Sequence, residues 1–270
     1  METLATENLQ TETLTETLIY EKPKSLKKDG KFTFCPGCGH GVVLKIIAEL
    51  IDEFGLREKT IAIASVGCSI FLEKFFDLDV AGASHGRSPS VATGVKRSLP
   101  DKFVFTYQGD GDALTIGLNE TIHTALRGEK ITTICINNTT FGMTGGQAST
   151  TSLLGQVTKT TTKGKTSELA GYPINAAEMI AKCTGAAYVA RVAICSAQHI
   201  KKAKDAIRKA FEMQIKGIGY SFVEVLASCP TNWKLSPVES MNHIKDTISK
   251  VHQLGIFKDI TANMRVEGAI

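Results

Sequence analysis

The chain is 270 residues long, 43% hydrophobic and 21% charged, with a net charge of +4. That is the composition of an ordinary α/β protein, long enough for one large core or two small ones. No apolar run approaches the ~18 residues of a membrane span. The opening stretch METLATENLQTETLTETL has neither the basic nor the apolar region of a secretory signal, and no interleaving of Arg with aromatics marks a nucleic-acid surface. The expectation is a cytoplasmic protein with no membrane or nucleic-acid partner.

Residues 1–22 repeat a TET element and hold five acidic side chains and one Lys; they read as a mobile tail. Residues 23–270 read as a single domain with 30 basic and 22 acidic side chains, net +8. Such a body suits an anionic partner, an acidic electron carrier for example. Within it, β-like and helical patterns alternate. Val43, Ile46, Ile47, Leu50 and Ile51 recur at helical spacing over 40–53. A strand is expected at 60–66 (TIAIASV) and another at 103–108 (FVFTYQ), which opens directly into GDGD. Helical periodicity returns over 112–127, then a strand at 131–136 (ITTICI) ends in Asn-Asn. A helix near 175–184, a strand near 187–194, a helix at 197–215 started by Ser196, and a strand at 221–227 follow. The last predicted helix is 236–253, with Pro237 in its first turn.

Short apolar strands alternating with helices predict a doubly wound α/β fold, its mostly parallel sheet covered by helices on both faces. Ligands bind such sheets beyond the carboxyl ends of the strands. The unusual residues of this sequence lie at those ends: Gly67-Cys68, Gly109-Asp110-Gly111, Asn137-Asn138 and Cys229.

A lone GDG is most often a plain turn. Here Gly109 and Gly111 follow a strand and open a helix whose amides can face an anion. Asp110 is placed to meet a divalent cation that accompanies a pyrophosphate. One helix later, Asn138 and a carbonyl near Thr140 offer neutral oxygen ligands, and Gly145-Gly146 offers a tight turn with free amides. GDG followed some 25–30 residues later by NN resembles the thiamine diphosphate motif. His85 and Arg87, in ASHGRSPS with Gly86 between them, form a pair that could face a phosphate. His40, at the start of a helix, is either another donor to that anion or a polar first-turn residue. His123, His199, His243 and His252 read as surface. Lys45, Lys159, Lys163 and Lys165 read as solvated.

Of the seven cysteines, Cys135, Cys183 and Cys195 stand in apolar stretches and read as small buried hydrophobes. Cys35 and Cys38 form a CPGC knuckle, and Cys68 and Cys229 lie at distant strand ends. Structural zinc, a [4Fe–4S] cluster and a redox dithiol all use such cysteines. Their position on the expected ligand edge favours an electron acceptor.

Taken in order, CPGCGHG, GCS, SHGR, GDGD, NN-TTFGMTGGQ and SCPTNW resemble the thiamine-diphosphate-binding β subunit of 2-oxoacid:ferredoxin oxidoreductases, over roughly residues 31–240. The resemblance implies thiamine diphosphate, Mg²⁺ and a nearby [4Fe–4S] cluster. It implies Cys35, Cys38, Cys68 and Cys229 as cluster ligands, and Asp110, Asn138 and Thr140 as Mg²⁺ ligands. Around the organic cofactor it implies Gly67, Ser69, His85, Gly109, Gly111, Thr144 and Gly145, with His40, Ser65, Cys68, Gly86, Arg87, Asp112, Gly142 and Met143 beside them. The implied reaction is coenzyme A-dependent oxidative decarboxylation of a 2-oxoacid, 2-oxoglutarate first and a branched-chain 2-oxoacid next, with electrons passed to ferredoxin. The implied partner is an α subunit carrying the pyrimidine-binding domain and the activating Glu. A non-redox thiamine-dependent decarboxylase or ligase would leave the loop cysteines idle, and a zinc-stapled structural subunit would leave GDG and NN idle.

Overall fold

A computed structural model describes residues 20–30 and 32–262. After the knuckle, α1 (His40–Glu53) leads into β1 (Thr60–Ala64), and the one-turn α2 (Leu72–Phe75) precedes β2 (Asp79–Gly82). The chain continues through α3 (Ser88–Ser98), β3 (Phe103–Gly109), α4 (Leu118–Arg127) and β4 (Thr132–Asn137). A small antiparallel ribbon follows, β5 (Thr140–Phe141) with β6 (Gln147–Ala148). Then come α5 (Ser167–Ala170), α6 (Ala176–Ala181), β7 (Ala186–Ala193), α7 (Ala197–Ile215) and β8 (Tyr220–Leu226). The chain closes with α8 (Pro230–Trp233), α9 (Pro237–His243), α10 (Ser249–Val251) and β9 (Gly255–Asp259).

Seven strands make one sheet in the order β2-β1-β3-β4-β8-β7-β9. Only β9, against β7, is antiparallel; the other ladders are parallel. Residues along each strand point alternately to the two faces, and here both faces are covered. Phe103, Phe105 and Tyr107 of β3 and Ile134 and Ile136 of β4 pack with α1 and α7. Val104 and Cys135 pack on the other side with Ala92, Ala125, Ala177 and Ile180 of α3, α4 and α6. That is why these strands read as continuous apolar runs. The stripe expected on α1 is buried at Val43, Leu44, Ile46, Ile47, Leu50 and Ile51, each such side chain contributing roughly 1.5–3 kcal/mol.

Several elements differ from their sequence-based expectations. The segment 112–127 opens as a wide π turn over Gly111–Ile116, closed by Gly117 N–H to the Asp112 carbonyl at 2.8 Å, before α4 begins. The helix expected over 236–253 is likewise interrupted by a π turn at Ile244–Ile248. The edge strands β2 and β9 and helix α3 carry weak patterns and were not anticipated. His252 is fully buried rather than on the surface, because the chain turns there into β9. Lys165 is buried too, its Nζ donating to the Ser152 carbonyl at 2.9 Å. Cys195 is only partly buried. Of the tail read over 1–22, residues 1–19 lie outside the described residues; the Tyr20 hydroxyl donates to Glu49 Oε1 at 3.2 Å. Among the described residues no helix is long and apolar enough to cross a membrane.

Candidate cofactor site

The chain runs from β1 outward to β2, then returns to the other side of β1 for β3. This reversal splays the connections and leaves a crevice at the strand carboxyl ends. The crevice holds about 90 Å³. It is lined by Val66, Gly67, Cys68 and Ser69 beyond β1, His85 beyond β2 and Gly109 to Asp112 beyond β3. Asn138 and Thr140 to Thr144 beyond β4 complete it, with His40 of α1. A larger cavity, about 670 Å³, lies between α7, β7 and β9 and contains none of the motif residues.

Asp110 is buried, and its Oδ2 accepts hydrogen bonds from Ser149 Oγ at 2.7 Å and from Thr151 Oγ1. Burial pushes this carboxyl up to about 6, against the pull of the two hydroxyls. The other oxygen, Oδ1, faces the Asn138 amide oxygen at 3.2 Å, which in turn lies 2.7 Å from the Thr140 carbonyl oxygen. With the Asn138 amide oxygen turned inward these three oxygens suit a cation; with the amide turned over, its nitrogen donates to both neighbours instead. Neighbouring ligands of an octahedral cation with bonds of about 2.0–2.1 Å stand about 2.9 Å apart, so the cradle matches a cation in spacing and chemistry. Thr139 in this turn has φ of 57°, a left-handed conformation that costs a side chain with a Cβ roughly 1–2 kcal/mol. Four bonds hold it: Thr139 N–H to Asn137 Oδ1 at 3.0 Å, Ser152 Oγ to the Thr139 carbonyl at 2.6 Å, and Gln156 Nε2 to its carbonyl and hydroxyl at 3.1 Å each.

Asp112 turns away from the cation cradle. Its Oδ1 accepts from Gly86 N–H at 2.7 Å and from His85 Nδ1, and its Oδ2 from Gln108 Nε2 at 2.5 Å. A carboxylate on Nδ1 fixes the His85 tautomer and leaves Nε2 available. At Gly111 an added Cβ would stand 2.5 Å from the Phe141 ring, so only glycine lets the two loops approach. Gly67 has φ of 102°, turning the chain sharply out of β1.

Not every expected contact is present. Arg87 stands at the N-cap of α3, paired with Glu120 and outside the crevice lining, whereas His85 lines the crevice. His40 is buried with Nδ1 2.7 Å from the Tyr107 hydroxyl; burial pushes its imidazole down to about 4, so it serves as a neutral group. Ser65 is buried behind the lining, its Oγ unpartnered. Gly86 acts through its amide on Asp112. The Gly145 and Gly146 amides are not free: they donate to the Gly142 and Phe141 carbonyls at 3.3 and 2.9 Å and close the β5–β6 ribbon. Sequence reasoning missed Val66, Phe141, and the hydroxyls of Ser149 and Thr151, whose signal was the hydroxyl run Ser149–Ser152.

The four loop cysteines share this edge. In the knuckle, Cys38 N–H donates to the Cys35 carbonyl at 3.0 Å. Two bonds tie the knuckle to the end of β8: Gly39 N–H to the Ser228 carbonyl at 3.2 Å and Ser228 Oγ to the Gly37 carbonyl at 2.6 Å. The sulfurs of Cys68 and Cys229 both lie 3.7 Å from where a Cβ on Gly142 would stand. Asn232 Nδ2 donates to Cys229 Sγ at 3.2 Å and to the Gly142 carbonyl at 2.8 Å. Burial first, then the neighbouring thiols, pushes Cys38 up to about 12 and Cys68 up to about 11. All seven cysteines are free. Among the described residues, no three His, Cys, Asp or Glu side chains close into a metal-ligand set.

Residues 66–225 match the family model described as "Thiamine pyrophosphate enzyme, C-terminal TPP binding domain". Ketoisovalerate oxidoreductase subunit VorA of Methanothermobacter thermautotrophicus is 42% identical over 229 residues, 85% of this chain and 48% of its own length. The 2-oxoglutarate synthase subunit KorB of Archaeoglobus fulgidus is 34% identical over 217 residues, 80% of this chain and 77% of its own. The chain belongs to the thiamine-diphosphate-binding subunits of the 2-oxoacid oxidoreductases. In fold it is similar to the 2-oxoglutarate:ferredoxin oxidoreductase of Magnetococcus marinus, solved with 2-oxoglutarate, coenzyme A and succinyl-CoA bound. That similarity has a TM-score of 0.75 at 26% identity and covers 93% of this chain and 90% of that one. The chain spans about half the length of the VorA relatives.

Proposed function

We propose that the chain is the catalytic subunit of a 2-oxoacid:ferredoxin oxidoreductase, binding thiamine diphosphate through Mg²⁺ and carrying a [4Fe–4S] cluster. The observation that carries this reading is the joint placement of the oxygen cradle and the four loop cysteines on one sheet edge, at the strand reversal. When bound, thiamine diphosphate supplies the nucleophilic carbon and electron sink for decarboxylating a 2-oxoacid, and the cluster supplies an exit for the electrons.

The residues divide that work. Asp110, Asn138 and the Thr140 carbonyl hold the cation, with Ser149 and Thr151 fixing the carboxylate. Gly67, Ser69, Gly109, Gly111, Thr144 and Gly145 shape the backbone that receives the diphosphate, beside Met143. His85, oriented by Asp112, presents Nε2 to the crevice. Cys35, Cys38, Cys68 and Cys229 are the cluster ligands; iron would hold as thiolates the sulfurs of Cys38, Cys68 and Cys229, whose protonated form burial otherwise favours.

A crevice of about 90 Å³ is well below the 300–1,000 Å³ of a site that encloses its ligand. Its lining carboxylates, Asp110 and Asp112, are both engaged within the chain. The carboxylate that activates the aminopyrimidine therefore comes from an α partner, which also covers the mouth, where Val66 and Met143 are exposed. Coenzyme A accepts the acyl group, and ferredoxin the electrons. Relatives of both names match, so 2-oxoglutarate and branched-chain 2-oxoacids are the substrates to assay. We take the branched-chain acid first in the assay, a choice supported by identity of 42% to the ketoisovalerate relatives against 34–37% to three of the 2-oxoglutarate ones.

The test is oxygen-free purification of the chain with its α partner, followed by iron and acid-labile sulfide analysis and EPR of the dithionite-reduced sample. About four of each per chain, a reduced-cluster signal, and 2-oxoacid- and coenzyme A-dependent reduction of an acceptor are expected. Stoichiometric zinc without iron would overturn the redox reading in favour of a non-redox thiamine enzyme. Absence of thiamine diphosphate binding in the presence of the partner would leave a structural subunit.

A further inference from the structure

Beneath the cradle lies a polar frame that no motif announced. Asn137, the first Asn of the pair, points into the sheet rather than at the crevice. Its Nδ2 donates to Glu224 Oε1 at 2.7 Å, while its Oδ1 accepts the Thr139 amide at 3.0 Å. Glu224 of β8 is fully buried, and its second oxygen accepts from Arg191 Nε of β7 at 2.8 Å. Arg191 is fully buried as well. Its remaining nitrogens donate to both oxygens of Glu178 at 2.8 and 2.7 Å and to the Gln253 carbonyl at 3.0 Å. Next to Gln253, His252 places Nε2 2.9 Å from the carbonyl of Thr151, whose hydroxyl holds Asp110. Both halves of the cradle are thus braced by one buried network anchored on Arg191.

A buried ion pair is poor evidence of stability, since apolar residues of the same shape pack as well or better. It does fix geometry: the guanidinium presents a planar fork and permits one orientation of the carboxylate. That carboxylate sets the Asn137 side chain, and Asn137 sets the left-handed Thr139 between the two ligands of the turn. We infer that Arg191 and Glu224 are positioning residues for the cation, acting through Asn137 on Asn138 and the Thr140 carbonyl. The inference rests on the thiamine diphosphate and Mg²⁺ reading above.

The chain contains a reporter for this turn. Its single tryptophan, Trp233, donates its indole N–H to the Asn138 carbonyl at 3.1 Å. The experiment compares the full chain with Glu224→Gln and with the double variant Arg191→Met/Glu224→Gln, which removes both buried charges and so keeps a folded comparison if the single variant fails. Trp233 emission is recorded without cofactor. Thiamine diphosphate binding to the complex with the α partner is then titrated over a range of Mg²⁺. The expected result is altered tryptophan emission, a 10- to 100-fold higher Mg²⁺ concentration for half-maximal binding, and recovery of thiamine diphosphate affinity at saturating Mg²⁺. A folded double variant with wild-type emission and wild-type Mg²⁺ dependence would overturn the inference, leaving the pair a packing feature. If the wild-type complex binds no thiamine diphosphate, the functional reading fails instead; the emission comparison, which needs no cofactor, still decides whether the pair sets the turn.

Discussion

At Asp110 the chain keeps a charge where an isolated protein would not want one. Burial raises this carboxyl to about 6 from an ordinary 3.8, so the folded state binds the proton more tightly than the unfolded chain. The contribution to stability is full below pH 4 and is lost as pH rises through 6, a difference on the order of 3 kcal/mol. Asp110→Asn, whose amide oxygen still accepts from Ser149 and Thr151, should therefore raise the neutral-pH melting temperature of the cofactor-free chain while abolishing Mg²⁺-dependent thiamine diphosphate binding. Calorimetry and a binding titration check the two halves, and a lowered melting temperature would refute the first. His85 gives a second residue-scale expectation. With Asp112 on Nδ1, the proton of the neutral ring resides there, and ¹⁵N spectra of that form should report the Nδ1–H tautomer; Asp112→Ala should release that preference.

The elements explain how much of the site was legible. β3 and β4 announced themselves because both faces are covered, so every residue from Phe103 to Gln108 is buried. The GDGD and NN ends follow from those strands. The wide turn after Gly109 was not legible, because the hydrogen bonds of a π turn leave the spacing of apolar residues almost unchanged over a single turn. Asn137 and Asn138 look alike in the sequence, yet Asn137 closes β4 and bonds into the sheet while Asn138 stands beyond it and lines the crevice; residue identity does not reveal this. Arg87 beside His85 suggested a phosphate pair, but α3 starts directly after Arg87, whose guanidinium is paired with Glu120. Helix α7, by contrast, began where its cap indicated: Ser196 Oγ accepts the His199 amide at 3.3 Å. Ser196→Ala should cost about 1 kcal/mol in urea unfolding. Gly111→Ala should displace the Phe141 ring and weaken thiamine diphosphate binding more than it weakens folding, as paired binding and unfolding measurements would show.

At the scale of the molecule, the fold resolves into one covered sheet whose candidate cofactor residues gather at the carboxyl ends of its strands, and a buried histidine beneath them gives an expectation for acid stability. Burial lowers the His252 imidazole, with Glu224, Glu178 and the Thr151 carbonyl opposing and Arg191 assisting. The unfolded chain takes up the proton more readily, so stability is present above the ordinary histidine pKa near 6.5 and declines as pH falls below it. His252→Gln, which keeps a donor for Thr151, should flatten this acid branch; an unchanged slope of melting temperature between pH 5 and 7 would count against the assignment.

The knuckle at residues 35–38 is fastened to Ser228, a contact across 191 positions of chain. A contact so distant in sequence forms only after both of its ends have been made, and such non-local contacts slow folding. A nascent chain on the ribosome can form α1 and the strands through β4 well before it has the means to gather its cysteines. Gathering of the four loop cysteines is thereby deferred until Cys229 has been made, and a translation product interrupted before that point leaves Cys35, Cys38 and Cys68 without it.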